Sequence, residues 1–358
     1  MAESSSTSNS EPIAPTRTRF PLAFALAIVL VIGADLALRF APTQVLLTRT
    51  AADDEVTALI NHIDMTGPAT IALVGSSQMR QGVSMPEFTH LVNDELNVPG
   101  RIVNYSVRGG KTELMRAIVA RLARDKAPPK VILVGLSVRD LRGPTADVAR
   151  TVPLLTWDEW ASEVRNDPSL VGTWPMKFRE SVGQWCWSLK FRDAIGARLQ
   201  GLFVTTAPPG DILSGELARE LVSRGRSLVS KPTTKKALLR RMGLSFDMKG
   251  SPNASPVMLN YLRQLIEECR RADVRLIVVE MPIAGVMKAN LPRKFYSRFH
   301  AAIDGLVSSS PQVTFIDADP LTTDFNDRYF FDAQHLNYLG ATTFGDRVAR
   351  RVWGDVGK

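Results

Sequence analysis

Ser77, in Gly75-Ser76-Ser77, and the pair Asp332-x-x-His335 have the residue types and spacing that suit nucleophilic chemistry. A serine hydroxyl attacks poorly unless a base takes its proton, and an imidazole that titrates near neutrality is such a base. Asp332, three residues ahead of His335, is placed to hold that ring in one tautomer and to stabilise its charged form. Acyl transfer also needs donors for a developing oxyanion. The Ser77 N–H at the start of a helix suits that role. So does the N–H of Gly109, in Asn104-Tyr105-Ser106-Val107-Arg108-Gly109-Gly110, because glycine lets the backbone approach closely. Ser137, in Gly135-Leu136-Ser137-Val138, is a third candidate donor, from a short side chain. Arg80, Asn104 and Arg139 fall near the same turns and are candidates for binding substrate. For Arg80, Arg108 and Arg139 the alternative use is an ion pair with a neighbouring carboxylate.

These turns need elements to bring them together. Short β-branched bursts predict strands at 70–75, 101–105, 130–136, 274–280 and 313–317, and helical patterns lie around 85–95, 111–125, 256–272, 292–308 and 340–353. Alternation of this kind predicts an α/β fold, a doubly wound five-stranded parallel sheet with helices on both faces. Ligands of such sheets bind beyond the carboxyl ends of the strands, which is where the serine, glycine and histidine turns fall. Asn337 is expected to cap the last helix.

Two regions lie outside that alternation. Residues 1–19 are Ser-, Thr- and Pro-rich and close on Arg17 and Arg19, and Phe20 to Leu38 is apolar except for Asp35. A helix of roughly 20 apolar residues crosses a membrane, so 20–40 is predicted to be an uncleaved transmembrane anchor. The flanking arginines leave the tail in the cytoplasm and the remainder outside the inner membrane. Residues 141–255 carry Trp157, Trp160, Trp174, Trp185 and Trp187, five of the six tryptophans. They read as a helical insertion, because an unstructured loop of that length does not suit a compact domain. The tryptophans are expected to form either a satellite core or a gripping surface, and 231–242 to form a basic helix. The α/β domain is then split into 41–140 and 256–358.

With 358 residues, 45% hydrophobic and 22% charged, the composition excludes collagen-like, wholly disordered and multi-pass membrane chains. Net charge is +8, and residues 151–250 hold 15 Lys or Arg against 10 Asp or Glu. Such an excess suits an anionic partner. No nucleic-acid signature accompanies it, so nucleic acid is not expected as a partner. The other histidines, His62, His90 and His300, are scattered without metal spacing and read as solvated or capping residues; neither metal nor cofactor is expected. Cys186 and Cys269 read as small buried apolar residues.

The turns resemble the SGNH, or GDSL-like, hydrolase superfamily. Gly75-Ser76-Ser77 stands where that family has Gly-Asp-Ser, Asn104 to Gly109 matches its Asn-x-x-x-x-Gly, and Asp332-x-x-His335 matches its last block. The resemblance covers 70–140 and 256–353 and implies a flavodoxin-like fold and acyl-ester hydrolysis or transfer. By the same resemblance Ser77 is the nucleophile, His335 and Asp332 its partners, and Gly109 with the Ser77 N–H the oxyanion donors. One block departs: Gly135-Leu136-Ser137-Val138 replaces Gly-x-Asn-Asp, so the usual asparagine donor is absent. With the anchor, the chain resembles the envelope branch that assists alginate O-acetylation and teichoic-acid D-alanylation. That branch implies an acylated cell-envelope polysaccharide as substrate and a membrane-bound O-acyltransferase as partner. A catalytically silent accessory protein of the same fold, binding a glycan or that partner through the insertion, is the alternative.

Overall fold

A computed structural model of the chain describes residues 55–66, 69–142, 148–183, 254–291, 293–310 and 312–354, with isolated positions between 26 and 36. Five strands, β1 (Ile71–Gly75), β2 (Ile102–Asn104), β3 (Val131–Leu136), β4 (Arg275–Glu280) and β5 (Val313–Ile316), form one sheet in the order β2-β1-β3-β4-β5. Every pairing is parallel. This 2-1-3-4-5 order reverses direction between β1 and β3, and the crevice outside their carboxyl ends is where such sheets bind ligands.

Helices follow in chain order: α1 (Glu55–Thr66), α2 (Ser77–Gly82), α3 (Met85–His90), α4 (Thr112–Ala123), α5 (Trp157–Asn166), α6 (Trp174–Gly183), α7 (Pro256–Arg271), α8 (Gly285–Asn290), α9 (Arg293–Val307), α10 (Ala318–Leu321) and α11 (Tyr338–Trp353). Side chains of a strand alternate between faces, and the core divides accordingly. Ala72, Val74, Ile132, Val134, Leu276 and Val278 pack under α1, α4, α7 and α9. Ile71, Leu73, Leu133, Ile277 and Val279 pack under α2, α3 and α11. A sheet buried on both faces needs apolar residues at nearly every strand position, which is why β1 and β3 read as continuous apolar runs. The covering helices show the complementary period: Met258, Leu262, Leu265, Ile266 and Cys269 line one face of α7.

The five strands fall within the expected ranges, and α4, α7, α9 and α11 match the expected helices to within two residues. The element expected at 85–95 is α3 followed by a π-helical turn at Leu91–Glu95. Short helices α2, α8 and α10 were not foreseen, because one or two turns leave too few residues to establish a period. The anchor expected at 20–40 falls almost wholly outside the described residues; among those described, no helix is long and apolar enough to cross a membrane. Of the insertion expected at 141–255, residues 148–183 are described and helical, whereas Trp185, Trp187, Cys186 and 231–242 lie outside the described residues. A capping box at Thr156 and Glu159 starts α5, and Glu159 ties it to the domain through Arg116 and Arg124 at 3.1 and 2.9 Å. Trp160 packs on the main core, while Trp157 and Trp174 are 41% and 47% exposed, so the described tryptophans form no closed satellite core.

Candidate active site

The turn after β1 is built for close packing. Gly75 and Gly135 are register partners at the ends of β1 and β3, and a Cβ on either would lie 2.4 or 2.7 Å from the Met79 Cβ. Bare backbone at both positions lets α2 settle directly on the strand ends. Ser76 caps α2, its hydroxyl oxygen accepting from the Gln78 N–H at 3.4 Å. Ser77, the first helical residue, is left half-exposed over the crevice.

From the far end of the chain, a tight loop delivers the base. Phe330 and Leu336 form an antiparallel bridge, the Phe331 N–H donates to the His335 carbonyl at 2.8 Å, and the Ala284 N–H donates to the Ala333 carbonyl at 3.0 Å. Asn337 caps α11 as expected, accepting from the Gly340 N–H at 3.0 Å. The buried Gln78 side chain donates to the Gln334 carbonyl at 3.1 Å, a direct tie between the helix that bears Ser77 and the loop that bears His335.

His335 Nε2 lies 2.9 Å from Ser77 Oγ, and His335 Nδ1 lies 2.9 Å from both carboxylate oxygens of Asp332. A carboxylate only accepts, so Nδ1 carries the proton and Nε2 is left to accept from the serine hydroxyl. Asp332 Oδ1 also accepts the backbone N–H groups of Gln334 and His335 at 2.8 and 2.9 Å. Burial pushes the Asp332 carboxyl up, but the His335 ring and these backbone donors outweigh it and hold the group below the usual carboxylate range. The charged form persists where it can orient and stabilise an imidazolium.

Gly109 has φ +68, the left-handed region that favours glycine. Its loop is fastened to the serine turn: the Val107 N–H donates to the Gly75 carbonyl at 3.0 Å, and the Gly110 N–H closes the turn on the Val107 carbonyl at 3.0 Å. Asn104 serves the same fastening. Its Oδ1 accepts from the Ser106 N–H at 3.0 Å and its Nδ2 donates to the Met79 carbonyl at 3.5 Å. The side chain expected to meet substrate is thereby engaged with backbone.

Ser137 and Arg80 also differ from the expected roles. Ser137 is buried, and both its N–H and its hydroxyl donate to Asp140 Oδ2 at 2.8 Å. Its hydroxyl proton is therefore directed away from an oxyanion. Burial pushes the Asp140 carboxyl up to about 6, against the opposing pull of these two hydrogen bonds and of the Arg139 and Lys111 charges. Arg80 is buried and ion-paired with Glu55, the first residue of α1. The pair joins α2 to the start of α1, because a buried guanidinium needs a carboxylate. Arg139 is half-buried and borders a small cavity with Gln78, Ser137, Met281 and Gln334. Arg108 is exposed, and its N–H donates to Glu55 Oε2 at 3.1 Å.

Of the remaining groups, His62 is held down to about 4 by burial and by the Arg101 charge, and His90 pairs with Asp94 at 2.5 Å on an exposed helix face. Cys269 is buried, and its thiol is pushed up to about 12. A larger cavity of about 500 Å³ opens beyond β4 and β5, lined by Glu280, Lys288, Tyr296, Asp319, Phe325 and Phe330. Strand-end logic would have pointed to this region too, but no sequence motif marked it.

Comparison with known proteins adds one finding. A family model of an uncharacterised domain matches residues 248–356. The match takes in β4, β5 and the Asp332–His335 loop, less than half of the chain, and excludes Ser77 and Gly109. No protein of curated function matches the chain.

Proposed function

We propose that this chain is a membrane-anchored serine acyl esterase or O-acyltransferase of SGNH type, acting on acyl esters, acetyl foremost, of a cell-envelope polysaccharide outside the inner membrane. The observation that carries the reading is the hydrogen-bonded series Ser77–His335–Asp332 at the carboxyl end of β1, beside the switch point of a 2-1-3-4-5 sheet. His335 takes the Ser77 proton as the hydroxyl oxygen attacks the ester carbonyl carbon. The Ser77 and Gly109 N–H groups receive the oxyanion, and the tetrahedral intermediate collapses to an acyl-serine as the protonated His335 gives its proton to the leaving alcohol. Water or a sugar hydroxyl then attacks the acyl-serine, with His335 again as base. Asp332 holds the imidazolium in place throughout.

The SGNH assignment draws support from motif order and from the placement of the Ser77 and Gly109 turns directly after β1 and β2, with the Asp332–His335 loop leading into α11. The anchor, the envelope location and a membrane-bound O-acyltransferase as partner are supported by Phe20 to Leu38 and by the resemblance. A fluorophosphonate probe tests the chemistry: full-length protein is labelled at Ser77, located by mass of the modified peptide, and Ser77→Ala is not. A folded chain that stays unlabelled overturns the reading.

Two observations favour a second reading, the silent accessory protein. The Ser137 hydroxyl is turned to Asp140, leaving two backbone donors for the oxyanion, and Trp157 and Trp174 stand exposed on the insertion, Trp174 stacked on Phe178 at 5.0 Å. Under that reading Ser77→Ala leaves function intact, and Trp174→Ala abolishes glycan or partner binding.

A further inference from the structure

A second constellation forms at the carboxyl ends of β4 and β5, from residues that no motif connects. Glu280 ends β4 and Asp317 follows β5, and the register Val279↔Ile316 sets the two side by side. Strand alternation directs both to the face occupied by Leu276, Val278 and Val313, the face that α9 covers. His300 comes from α9, with Nε2 3.2 Å from Glu280 Oε2. One donor atom from each of the three residues lies within 4.8 Å of the others.

We propose that Glu280, His300 and Asp317 bind a divalent transition-metal ion, zinc by preference, with a further coordination position directed to the adjoining cavity of about 500 Å³. Donor chemistry selects the ion: one imidazole nitrogen with two carboxylate oxygens suits a borderline cation, and a three-ligand set leaves a position for water or substrate. The separation of 3.2 Å between His300 Nε2 and Glu280 Oε2 is close to the roughly 3.3 Å edge of a tetrahedron with zinc–ligand bonds of about 2.0 Å. Outer contacts orient the ligands, as metal sites require. The Ala318 N–H donates to Glu280 Oε2 at 3.2 Å, and the Asp319 N–H donates to Asp317 Oδ1 at 2.8 Å. The His300 ring is walled by Tyr296, Phe299 and Phe315, with centroids at 6.2, 5.6 and 6.0 Å. Charge points the same way. Glu280 is only 3% exposed and stands beside Asp317 at the strand ends, and acidic groups so placed need a positive partner, which a dication supplies. Glu280 and Tyr296 also line the cavity, which supplies both the entry path and the space for the further ligand.

None of these residues belongs to the serine triad, so the proposal stands apart from the esterase reading. The test titrates zinc chloride into chelator-stripped, full-length protein by isothermal calorimetry, with cobalt(II) as a spectroscopic substitute. One zinc per chain and the intense visible bands of four- or five-coordinate cobalt are expected. His300→Gln and Asp317→Asn should weaken zinc by more than the roughly 10- to 100-fold that loss of an outer contact costs, and Ser77→Ala should bind as the parent does. Asp317 is half-exposed, so Asp317→Asn keeps the fold if the more buried Glu280→Gln does not. Absence of stoichiometric zinc in the parent, a six-coordinate cobalt spectrum, or unchanged affinity in a folded Asp317→Asn overturns the assignment.

Discussion

Ser77, His335 and Asp332 form one proton path, so their contributions to turnover are those of a unit. Ser77→Ala and His335→Ala should each lower kcat for an acetyl ester by several orders of magnitude, and the double variant should lose little more than either alone. Additive losses in steady-state kinetics would contradict a shared path. Asp332→Asn should cost on the order of 10⁴ in kcat by releasing the tautomer. Asp140 gives a prediction on stability. Its folded pKa of about 6 lies above the ordinary carboxyl value of about 3.9. The stability it contributes is therefore fully present below about pH 3.9 and is lost as pH rises through 6. Relative to Asp140→Asn, which has nothing to titrate, the parent should lose roughly 3 kcal/mol across that window and no more above it. Urea unfolding of both proteins at a series of pH values reads the difference.

The Gly109 loop and α2 are held to each other by backbone and by Asn104, so small changes in either element should act through geometry. Gly109→Ala forces a Cβ into the left-handed region at about 1–2 kcal/mol. The displaced N–H should lower kcat by up to about 10²-fold while KM stays near the parent value. An unchanged kcat would remove Gly109 from the oxyanion site. The insertion shows how an element resists local reading. Thr156 and Glu159 announce a helix start, but the attachment of α5 depends on Arg116 and Arg124 of the distant α4 region, and among the described tryptophans of the insertion only Trp160 packs on the core.

Across the whole molecule, two cores on opposite faces of one sheet position every catalytic candidate. Phe344 on α11 is fully buried beneath the second core, so Phe344→Ala should cost about 3–5 kcal/mol by urea unfolding and loosen the His335 loop that leads into α11. The apolar run from Phe20 to Leu38 carries the proposed membrane attachment. The parent should stay with the membrane pellet through an alkaline wash, and Ile28→Arg with Val31→Arg should release it, since each buried charge costs about 2.5–3.5 kcal/mol at a helix centre.

The amino-acid sequence by itself determined the strands, the long helices α4, α7, α9 and α11, the cap at Asn337 and the order of the Ser77, Gly109 and Asp332–His335 turns, though not the covering helices α1 and α2. Those features depend on local periodicity and on residue chemistry, which a short window contains. Tertiary structure alone decided which side chains meet. Ser77 reaches His335 through a contact between the two ends of the domain, Arg80 is spent on Glu55, and Ser137 turns to Asp140 because a buried carboxylate takes the nearest donors. His300, which sequence spacing left as a solvated or capping residue, joins Glu280 and Asp317 only when α9 crosses the ends of β4 and β5. Burial can be read from a pattern, but the partner of a polar group depends on which elements approach it, and that is set by packing across the whole sheet.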